Sequence, residues 1–410
     1  MKVMQINSVC GIRSTGKICT DLEEVLRRKG HESRILYGRE TAPEIYDSIS
    51  RRITSPNEIR VHAFLSRIFD NSGFCSKKST HRMIDEIERY NPDIVHLHNI
   101  HGYYLDVDSL FKYLKQSKRN VVWTLHDCWA MTGHCSHFTM AQCEQWKTHC
   151  SHCIQKKEYP ACYGISNANK NFERKKKAFR NVPNMTIVTP SQWLADITKQ
   201  SFLKDYPIKL IPNGVDLSVF KPDSQNPYSD TACDGKRVLL SVATAWTDRK
   251  GYYDYIRLSK ILDDRYQIVL IGLTNKQLKI LPKDIVGVKV TNSREELARY
   301  YSNAYAVLSL SKEETMGLTV VEALACGTPV VVYNSTALPE IVTVECGRIV
   351  ECGNLNGIVK VLDELEEIDL KDCVKRAEEY EKQKMYEEYI SDCRQNGSWC
   401  DAPGTILNFI

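Results

Sequence analysis

The sequence predicts an α/β protein built from two doubly wound domains. Short runs rich in β-branched residues alternate with longer amphipathic segments, which is the pattern of parallel strands joined by crossover helices. The alternation is interrupted at 213–236, where Pro, Gly, Asn, Asp and Ser dominate, and then restarts. A chain of 410 residues is also too long for one compact core. We expect a first domain over 1–212, a second over 213–385, and the end of a helix with a tail over 386–410.

The first half of the chain repeats a helix-to-strand step. KVMQINSV is strand-like, TDLEEVLRRKGHE is an amphipathic helix, and SRILYG is the next strand. The step recurs in MIDEIERYNPDIVHLHN, in SLFKYLKQSKRNVVWTLHD, and in MTIVTPSQWLADITKQSF with IKLIPNG. Parallel sheets bind ligands beyond the carboxyl ends of their strands. The loops SVCGIRSTG, HLHNIHG and TLHDCW would lie at that edge.

The second half predicts a similar sheet. Its strands are RVLLSVAT, YQIVLIG, GVKVTN, YAVLSLS and TPVVVYN, and its helices include GYYDYIRLSKILD, SREELARYYSNA and MGLTVVEALACG. The last periodic segment, KRAEEYEKQKMYEEYISDC, predicts one helix that is long enough to return toward the first domain.

Composition excludes several classes of protein. The longest apolar runs fall far short of the roughly 20 residues that span a bilayer, and MKVMQINS lacks the apolar core of a signal peptide, so we expect a cytoplasmic protein. Residues 1–210 carry 32 Lys and Arg against 21 Asp and Glu. The run at 170–180, KNFERKKKAFR, is either a face that attracts an anionic membrane surface or a solvated helix face. No nucleic-acid-binding motif accompanies the charge.

The stretch SVCGIRSTGKI resembles a phosphate-binding loop only in part. Gly11 to Lys17 fits the G-x-x-x-x-G-K frame, but Ile18 stands where a hydroxyl must hold Mg²⁺. We therefore do not expect a nucleoside triphosphatase. What remains is a strand, a turn and a helix N-terminus whose N–H groups can face an anion.

The strongest motif is SKEETMGLTVVEALACGTPVV at 311–331. Glu314 ends a strand and Glu322 lies in the following helix, so both carboxylates can border one cleft. With IPNGVDLSVFKP, this segment resembles the donor domain of family 4 retaining glycosyltransferases, whose signature is E-x7-E followed by A-x-x-x-G-x-P-V. The resemblance covers essentially the whole chain. It implies the GT-B fold, in which two Rossmann-like domains face a central cleft, with acceptor binding in the first domain and donor binding in the second.

The resemblance also implies roles for individual residues. Glu322 would hold the ribose hydroxyls of a nucleotide sugar, and Glu314 would bind the transferred sugar, although the adjacent Glu313 leaves open which acid does so. Positive charge at the diphosphate would come from the family's lysine-glycine element, here Arg249 and Lys250 in WTDRKGYYDY. Backbone N–H groups near the diphosphate would be those of Met316, Gly317 and Leu318.

The first-domain loops would complete the cleft. In the family reading, Gly16 allows close backbone approach to the donor and Lys17 adds charge. His126 in TLHD would contact the donor sugar. HLHNIHG supplies His98 and His101 for the acceptor side, and we prefer this reading to a metal site.

A Cys-rich insertion lies at about 128–162. Cys135, Cys143, Cys150 and Cys153 end in a C-x-x-C pair, which predicts a structural zinc site, with buried free thiols as the alternative. The insertion resembles a subgroup found in bacterial capsular and surface-polysaccharide biosynthesis.

The expected function is retaining, metal-independent transfer of a sugar from a UDP- or GDP-sugar to a growing, lipid-linked glycan. Two alternatives remain: a nucleotide-sugar epimerase on the same fold, and a non-catalytic, zinc-stabilised protein that binds a glycan or a membrane.

Overall fold

The computed structural model describes residues 1–229, 233 and 235–395. In this part of the chain, seven strands form a first sheet in the order β3-β2-β1-β4-β5-β6-β7, and every pairing in it is parallel. The strands are β1 Lys2–Asn7, β2 Glu32–Tyr37, β3 Ser50–Arg52, β4 Ile94–Leu97, β5 Asn120–Thr124, β6 Met185–Thr189 and β7 Ile208–Leu210.

A second parallel sheet has the order β10-β9-β8-β11-β12-β13 within the described residues. Its strands are β8 Arg237–Val242, β9 Tyr266–Ile271, β10 Ile285–Val288, β11 Ala306–Ser309, β12 Val330–Tyr333 and β13 Gly347–Val350. Strands such as β9 and β12 are buried along their full length, which explains their continuous apolar sequence. The predicted class of two doubly wound domains is confirmed.

Helices connect the strands of both sheets. In the first half they are α1 Arg13–Arg28, α2 Pro56–Phe69, α3 Lys77–Tyr90, α4 Val107–Ser117, α5 Ala168–Phe179 and α6 Gln192–Lys199. In the second half they are α7 Tyr252–Leu258, α8 Asn275–Ile280, α9 Arg294–Ser302, α10 Leu318–Ala325, α11 Leu355–Leu362, α12 Leu370–Glu378 and α13 Lys382–Gln395. Among the helices that the structure describes, none combines the length and apolar character needed to cross a membrane.

The sheet order places a crevice in each domain. Strand order reverses between β1 and β4 in the first sheet and between β8 and β11 in the second. Ligands bind in such crevices, outside the carboxyl ends of the strands. The predicted site residues follow β1 and β4 in the first sheet and β8 and β11 in the second, at these two switch points, and His126 follows the adjacent β5.

The prediction of one long C-terminal helix is wrong. The chain interrupts it between α12 and α13, where Val215 N–H donates to the Tyr380 carbonyl at 2.8 Å and Lys382 N–H donates to the Val215 carbonyl at 3.0 Å. The returning helix α13 begins at Lys382. Its apolar side chains pack with those of α1, as predicted for a return to the first domain, and residues 396–410 lie outside the described residues.

The basic run at 170–180 does not form a uniformly solvated face. Lys175 of α5 is buried, donates to the Trp129 carbonyl at 2.7 Å and lies 3.4 Å from the centroid of the Trp129 ring. Burial lowers the pKa of Lys175 to about 7. Arg174 pairs with Asp108. Two of the run's cations therefore stabilise the domain rather than face outward together.

A buried lysine joins the returning helix to both domains. Lys382 Nζ lies 2.7 Å from Asp216 Oδ2 and 3.0 Å from Glu24 Oε2. Burial lowers the pKa of Lys382, but hydrogen bonds to the two carboxylates outweigh it and leave the pKa raised.

Replacing Lys382 by Met leaves two carboxylates partly buried without their cation. We expect Lys382→Met to lower the free energy of unfolding by about 3–5 kcal/mol, measured by urea denaturation followed by circular dichroism. Lys384→Met, at an exposed position of the same helix, is the control. Adding Asp216→Asn to Lys382→Met should restore part of the loss. Equal stability of the two single variants would contradict this role.

Candidate active site

The two basic residues predicted for the diphosphate lie in a short turn after β8. Asp248–Lys250 forms a single 3₁₀ turn, and Gly251 follows with φ of +74° at the N-cap of α7. A Cβ at Gly251 would lie 2.3 Å from the Leu310 carbonyl oxygen, so the turn needs glycine there. Lys312 N–H donates to the Arg249 carbonyl at 2.8 Å, which ties the turn to the segment after β11.

Glu314 forms an ion pair with Lys250. The Glu314 N–H donates to Thr336 Oγ1 at 2.8 Å, and the Thr336 hydroxyl donates to the Glu314 carbonyl, also at 2.8 Å, so the backbone of the acid is fixed. Burial raises the pKa of Glu314, but Lys250 and then Arg249 lower it by more, and the net pKa is below its usual value. Glu314 is therefore an ionised acceptor beside a cation.

Glu313 points to a different partner. Its carboxylate accepts hydrogen bonds from the backbone N–H groups of Thr139 and Met140, which belong to the Cys-rich insertion of the first domain. Arg249 Nη1 donates to the Glu313 carbonyl at 3.1 Å. We refer to the contact of Glu313 with Thr139 and Met140 as the insertion clasp. Of the two adjacent acids, Glu314 is the one paired with Lys250.

The N-terminus of α10 begins immediately beyond these acids. Gly317 is its N-cap with φ of +103°, and no side chain caps the first turn. Met316 Sδ accepts from the Asn213 N–H at 3.2 Å, and Leu318 is the first helical residue. The predicted backbone donors are thus grouped at a helix end whose partial positive charge favours an anion.

Glu322 lies on α10, one turn after Leu318. Its Oε2 accepts from the Tyr301 hydroxyl at 3.1 Å. Burial raises the pKa of Glu322 to about 7, against the opposing effects of Arg294 and Tyr301. The carboxyl group therefore titrates near neutral pH when no ligand is bound.

The histidines of the first domain form a stacked row. His98 Nδ1 lies 3.0 Å from His126 Nε2, and His98 Nε2 lies 3.2 Å from Gln5 Oε1. His96 stacks on His98 with ring centroids 4.1 Å apart, as expected for two side chains on one face. Burial lowers the pKa of His126 to about 4 and that of His98 well below its usual value. These imidazoles are neutral at pH 7.

His126 also connects the two domains. The Thr315 hydroxyl, which follows Glu314 in the second domain, donates to the His126 carbonyl at 3.0 Å. The loop after β5 therefore contacts the loop after β11, and His126 stays a predicted contact of the donor sugar.

His101 lies in the loop beyond β4 and pairs with Asp127. His101 Nε2 is 2.8 Å from Asp127 Oδ2, and His101 Nδ1 is 3.2 Å from the Tyr159 hydroxyl. Burial raises the pKa of Asp127, but His101 outweighs it and lowers the pKa below its usual value. His98, His101, His126 and Asp127 all line one small cavity.

Gly16 and Lys17 are not in a loop, as the motif suggested, but within the first five residues of α1. The helix begins at Arg13, and the Gly11 N–H donates to the Gly16 carbonyl at 3.0 Å. A Cβ at Gly16 would lie 3.1 Å from Val9 Cγ2, so the residue packs tightly against the turn. Burial raises the pKa of Asp21 overall, and the charge of Lys17 acts against this rise.

The prediction of a zinc site is not supported. Within residues 1–229, 233 and 235–395, no three His, Cys, Asp or Glu side chains are grouped so that they could hold a metal ion. A hydrogen bond from Cys135 lowers the pKa of Cys153, whereas Cys150 accepts from the Gly133 N–H at 3.2 Å. Cys143 packs beside the apolar core. The insertion is instead anchored by the buried stack of Phe138 on Trp146.

Two residues near the cleft, His137 and Glu340, were not predicted as part of it from the sequence. Burial lowers the pKa of His137 to about 4, and the charges of Arg249 and Glu314 also act on it, so this insertion residue lies within electrostatic range of the basic turn. Glu340 accepts from the N–H groups of Gln192 at 2.8 Å and Trp193 at 2.6 Å, a second contact of a second-domain carboxylate with first-domain backbone. No sequence motif marks either.

Comparison with known proteins matches both halves of the chain to family models. Residues 15–219 match the model described as Glycosyltransferase Family 4, and residues 229–384 match the model described as Glycosyl transferases group 1. The resemblance found in the sequence is therefore confirmed.

Individual relatives agree with this assignment. The chain is 23% identical over 367 residues to a putative colanic acid biosynthesis glycosyl transferase, WcaC, of Escherichia coli K12, covering 85% of this chain and 87% of that protein. Sucrose-phosphate synthase of Thermosynechococcus elongatus superposes with a TM-score of 0.72 at 16% identity, covering 96% of this chain and 98% of that one. Anabaena HepE in complex with UDP-glucose superposes with a TM-score of 0.66 at 14% identity, covering 96% and 99%. Both structures confirm the GT-B fold.

The insertion clasp predicts a local change in dynamics. Hydrogen bonds to a charged acceptor contribute about 1.5–3 kcal/mol, so Glu313→Ala should accelerate amide exchange at residues 138–141 by roughly ten- to a hundredfold. Hydrogen–deuterium exchange of the full chain measures this. Glu367→Ala, at an exposed acid of the same domain, is the control and should leave that segment unchanged. Unaltered exchange in Glu313→Ala would show that the clasp does not hold the insertion.

Proposed function

This chain belongs to glycosyltransferase family 4, and on that premise we propose that it transfers a sugar from a nucleoside diphosphate sugar to a growing, lipid-linked glycan, with retention of configuration. The observation that carries the proposal is the Lys250–Glu314 pair beside the N-terminus of α10, which has no side-chain cap. A cation, an ionised acceptor and helix N–H groups are what a sugar diphosphate needs. The colanic acid relative supports a role in polysaccharide synthesis.

The donor would bind mainly to the second domain. Arg249 and Lys250 would face the diphosphate, together with the N–H groups of Met316, Gly317 and Leu318. Glu322 would accept the ribose hydroxyls.

Donor binding would exchange the partners of the ion pair between Lys250 and Glu314. Lys250 would turn to phosphate, while Glu314 would accept hydroxyls of the transferred sugar. The neutral imidazole of His126 would contact the same sugar from the first domain.

Catalysis would be mainly electrostatic. The departing diphosphate carries the charge that develops in the transition state, and preorganised cations and helix dipoles stabilise such charge without reorganisation. As the family resemblance implies, a phosphate oxygen of the donor would take the proton of the acceptor hydroxyl, so we assign no protein general base. Side chains and helix N–H groups would meet the charge of the diphosphate, so we assign no catalytic metal. His98 and the His101–Asp127 pair would orient the acceptor.

The role of the basic turn can be tested by turnover. A panel of UDP- and GDP-sugars is first screened for protection against thermal unfolding, and the protecting donor is then assayed with a lipid-linked acceptor. We expect Arg249→Ala/Lys250→Ala to reduce kcat by about 10²–10³-fold, because donors aimed at developing charge are worth that much. Lys276→Ala/Lys279→Ala, at exposed positions of the same domain, is the control.

Three results would overturn parts of this proposal. Normal turnover in the Arg249/Lys250 variant would remove both residues from the mechanism. A new nucleotide sugar formed from donor alone would indicate an epimerase. Failure of every UDP- and GDP-sugar to protect the fold would favour a non-catalytic binding protein.

The pKa of Glu322 predicts a pH-dependent donor affinity. An acceptor-only carboxylate can bind both ribose hydroxyls, and a pKa of about 7 leaves only about a tenth of the groups ionised at pH 6. We expect the protecting nucleotide sugar to bind about tenfold more weakly at pH 6 than at pH 8, measured by calorimetry. The diphosphate of the nucleotide sugar does not change its charge between pH 6 and pH 8. Glu322→Gln should remove the dependence, and a constant affinity in the unaltered protein would contradict the assignment.

A further inference from the structure

Helix α2 presents an apolar stripe to solvent. The helix is fixed at its start by a capping box between Ser55 and Glu58, with Pro56 in the first turn. Val61 and Phe64 are 59% and 60% exposed, and Ile68 lies on the same stripe one turn further on. Large apolar side chains left exposed together at helical spacing mark an interaction surface.

The segment that directly follows the Cys-rich insertion extends this stripe. The Tyr163 N–H donates to the Arg67 carbonyl at 2.7 Å, and the Ile165 N–H donates to the Ile68 carbonyl at 2.8 Å. Tyr163 and Ile165 therefore lie beside the end of α2, and their side chains are 68% and 64% exposed. We call the surface formed by Val61, Phe64, Ile68, Tyr163 and Ile165 the α2 face.

Positive charge borders the α2 face. Arg60 and Arg67 flank the stripe on the helix, and Lys156 and Lys157 precede Tyr163 in the insertion. Acidic neighbours on the same two segments contribute little free negative charge to the surface: Glu58 pairs with Arg82, and Asp70 is buried. Glu158 is an exposed exception. The border therefore suits an anionic partner.

The opposite side of α2 contacts the acceptor side of the cleft. His62 packs edge-on against Tyr103 with ring centroids 5.8 Å apart, and Tyr103 packs against Tyr159 at 6.3 Å. The Tyr159 hydroxyl lies 3.2 Å from His101 Nδ1. A partner on the α2 face is thus three side chains away from the residues proposed to orient the acceptor.

We propose that the α2 face docks on an anionic membrane surface and positions the cleft over a lipid-linked acceptor, an inference that rests on the proposed function. Aliphatic side chains with a phenylalanine and a tyrosine, bordered by Arg and Lys, match the apolar and charged layers of a lipid interface. A second copy of the chain is a poorer occupant, because a two-fold contact would place basic borders against each other. We therefore assign the membrane contact to the α2 face and not to the basic run at 170–180, part of which is buried.

Sedimentation of the full chain with vesicles tests this proposal. Vesicles of neutral phosphatidylcholine are compared with vesicles that contain 30% anionic phosphatidylglycerol. We expect the protein to pellet with the anionic vesicles. Val61→Asn/Phe64→Asn should lower the partition coefficient at least tenfold, and Arg60→Gln/Arg67→Gln about fivefold for each removed cation. Val290→Asn/Val344→Asn, at exposed valines of the second domain, is the matched control.

Several outcomes would overturn the proposal. The first is that the protein pellets with neither kind of vesicle. The second is that Val61→Asn/Phe64→Asn pellets as well as the control variant. The third is that only Lys170→Gln/Lys177→Gln loses pelleting, which would assign the membrane contact to α5. Self-association without vesicles that Val61→Asn/Phe64→Asn abolishes would assign the face to a second copy. Nucleotide-sugar binding is measured on the same samples, so a chain that binds vesicles but no donor refutes the proposed function instead.

Discussion

The candidate site depends on the partly buried ion pair between Lys250 and Glu314. Burying either charge alone would be costly. In the pair, Lys250 lowers the pKa of Glu314 and keeps this acid ionised. The pair exists because β8 and β11 are neighbours and because Gly251 allows the turn after β8 to reach the Leu310 carbonyl. A sugar diphosphate offers a phosphate to one partner and hydroxyls to the other. In the proposed reaction, donor binding therefore replaces the ion pair between Lys250 and Glu314 by new partners for both charges.

Contacts between the two domains include carboxylates that accept from backbone N–H groups. Glu313 holds the insertion and Glu340 holds the start of α6, so the second domain contacts the first at two separate places. Main-chain donors cannot be lost by substitution of their own side chains. Contacts of this kind hold the domains together, while the groups proposed for donor and acceptor remain directed into the cleft.

The sequence predicted the fold better than it predicted individual contacts. Buried strands such as β9 and β12 are apolar throughout and were predicted, whereas β3 and β13 are short, carry arginines and were not. Glu314 and Glu322 were predicted from their spacing, but the separate roles of Glu313 and Glu314 depend on the direction of adjacent side chains, which spacing does not encode. The C-x-x-C pair suggested zinc because spacing alone does not reveal the path of the loop. Lys175 was misread for a related reason, since burial against Trp129 depends on tertiary packing.

The two sides of the cleft differ in charge. Fixed cations lie on the proposed donor side, whereas burial keeps His98 neutral on the proposed acceptor side. Imidazoles with such low pKa values are weak bases, although they can still accept a hydrogen bond from a hydroxyl. Orienting the acceptor is within their reach, but removing its proton is a task for a stronger base. In the proposed complex the departing phosphate, held by Arg249 and Lys250, would be that base, so the proposed mechanism needs cations on the donor side of the cleft and only neutral rings on the other.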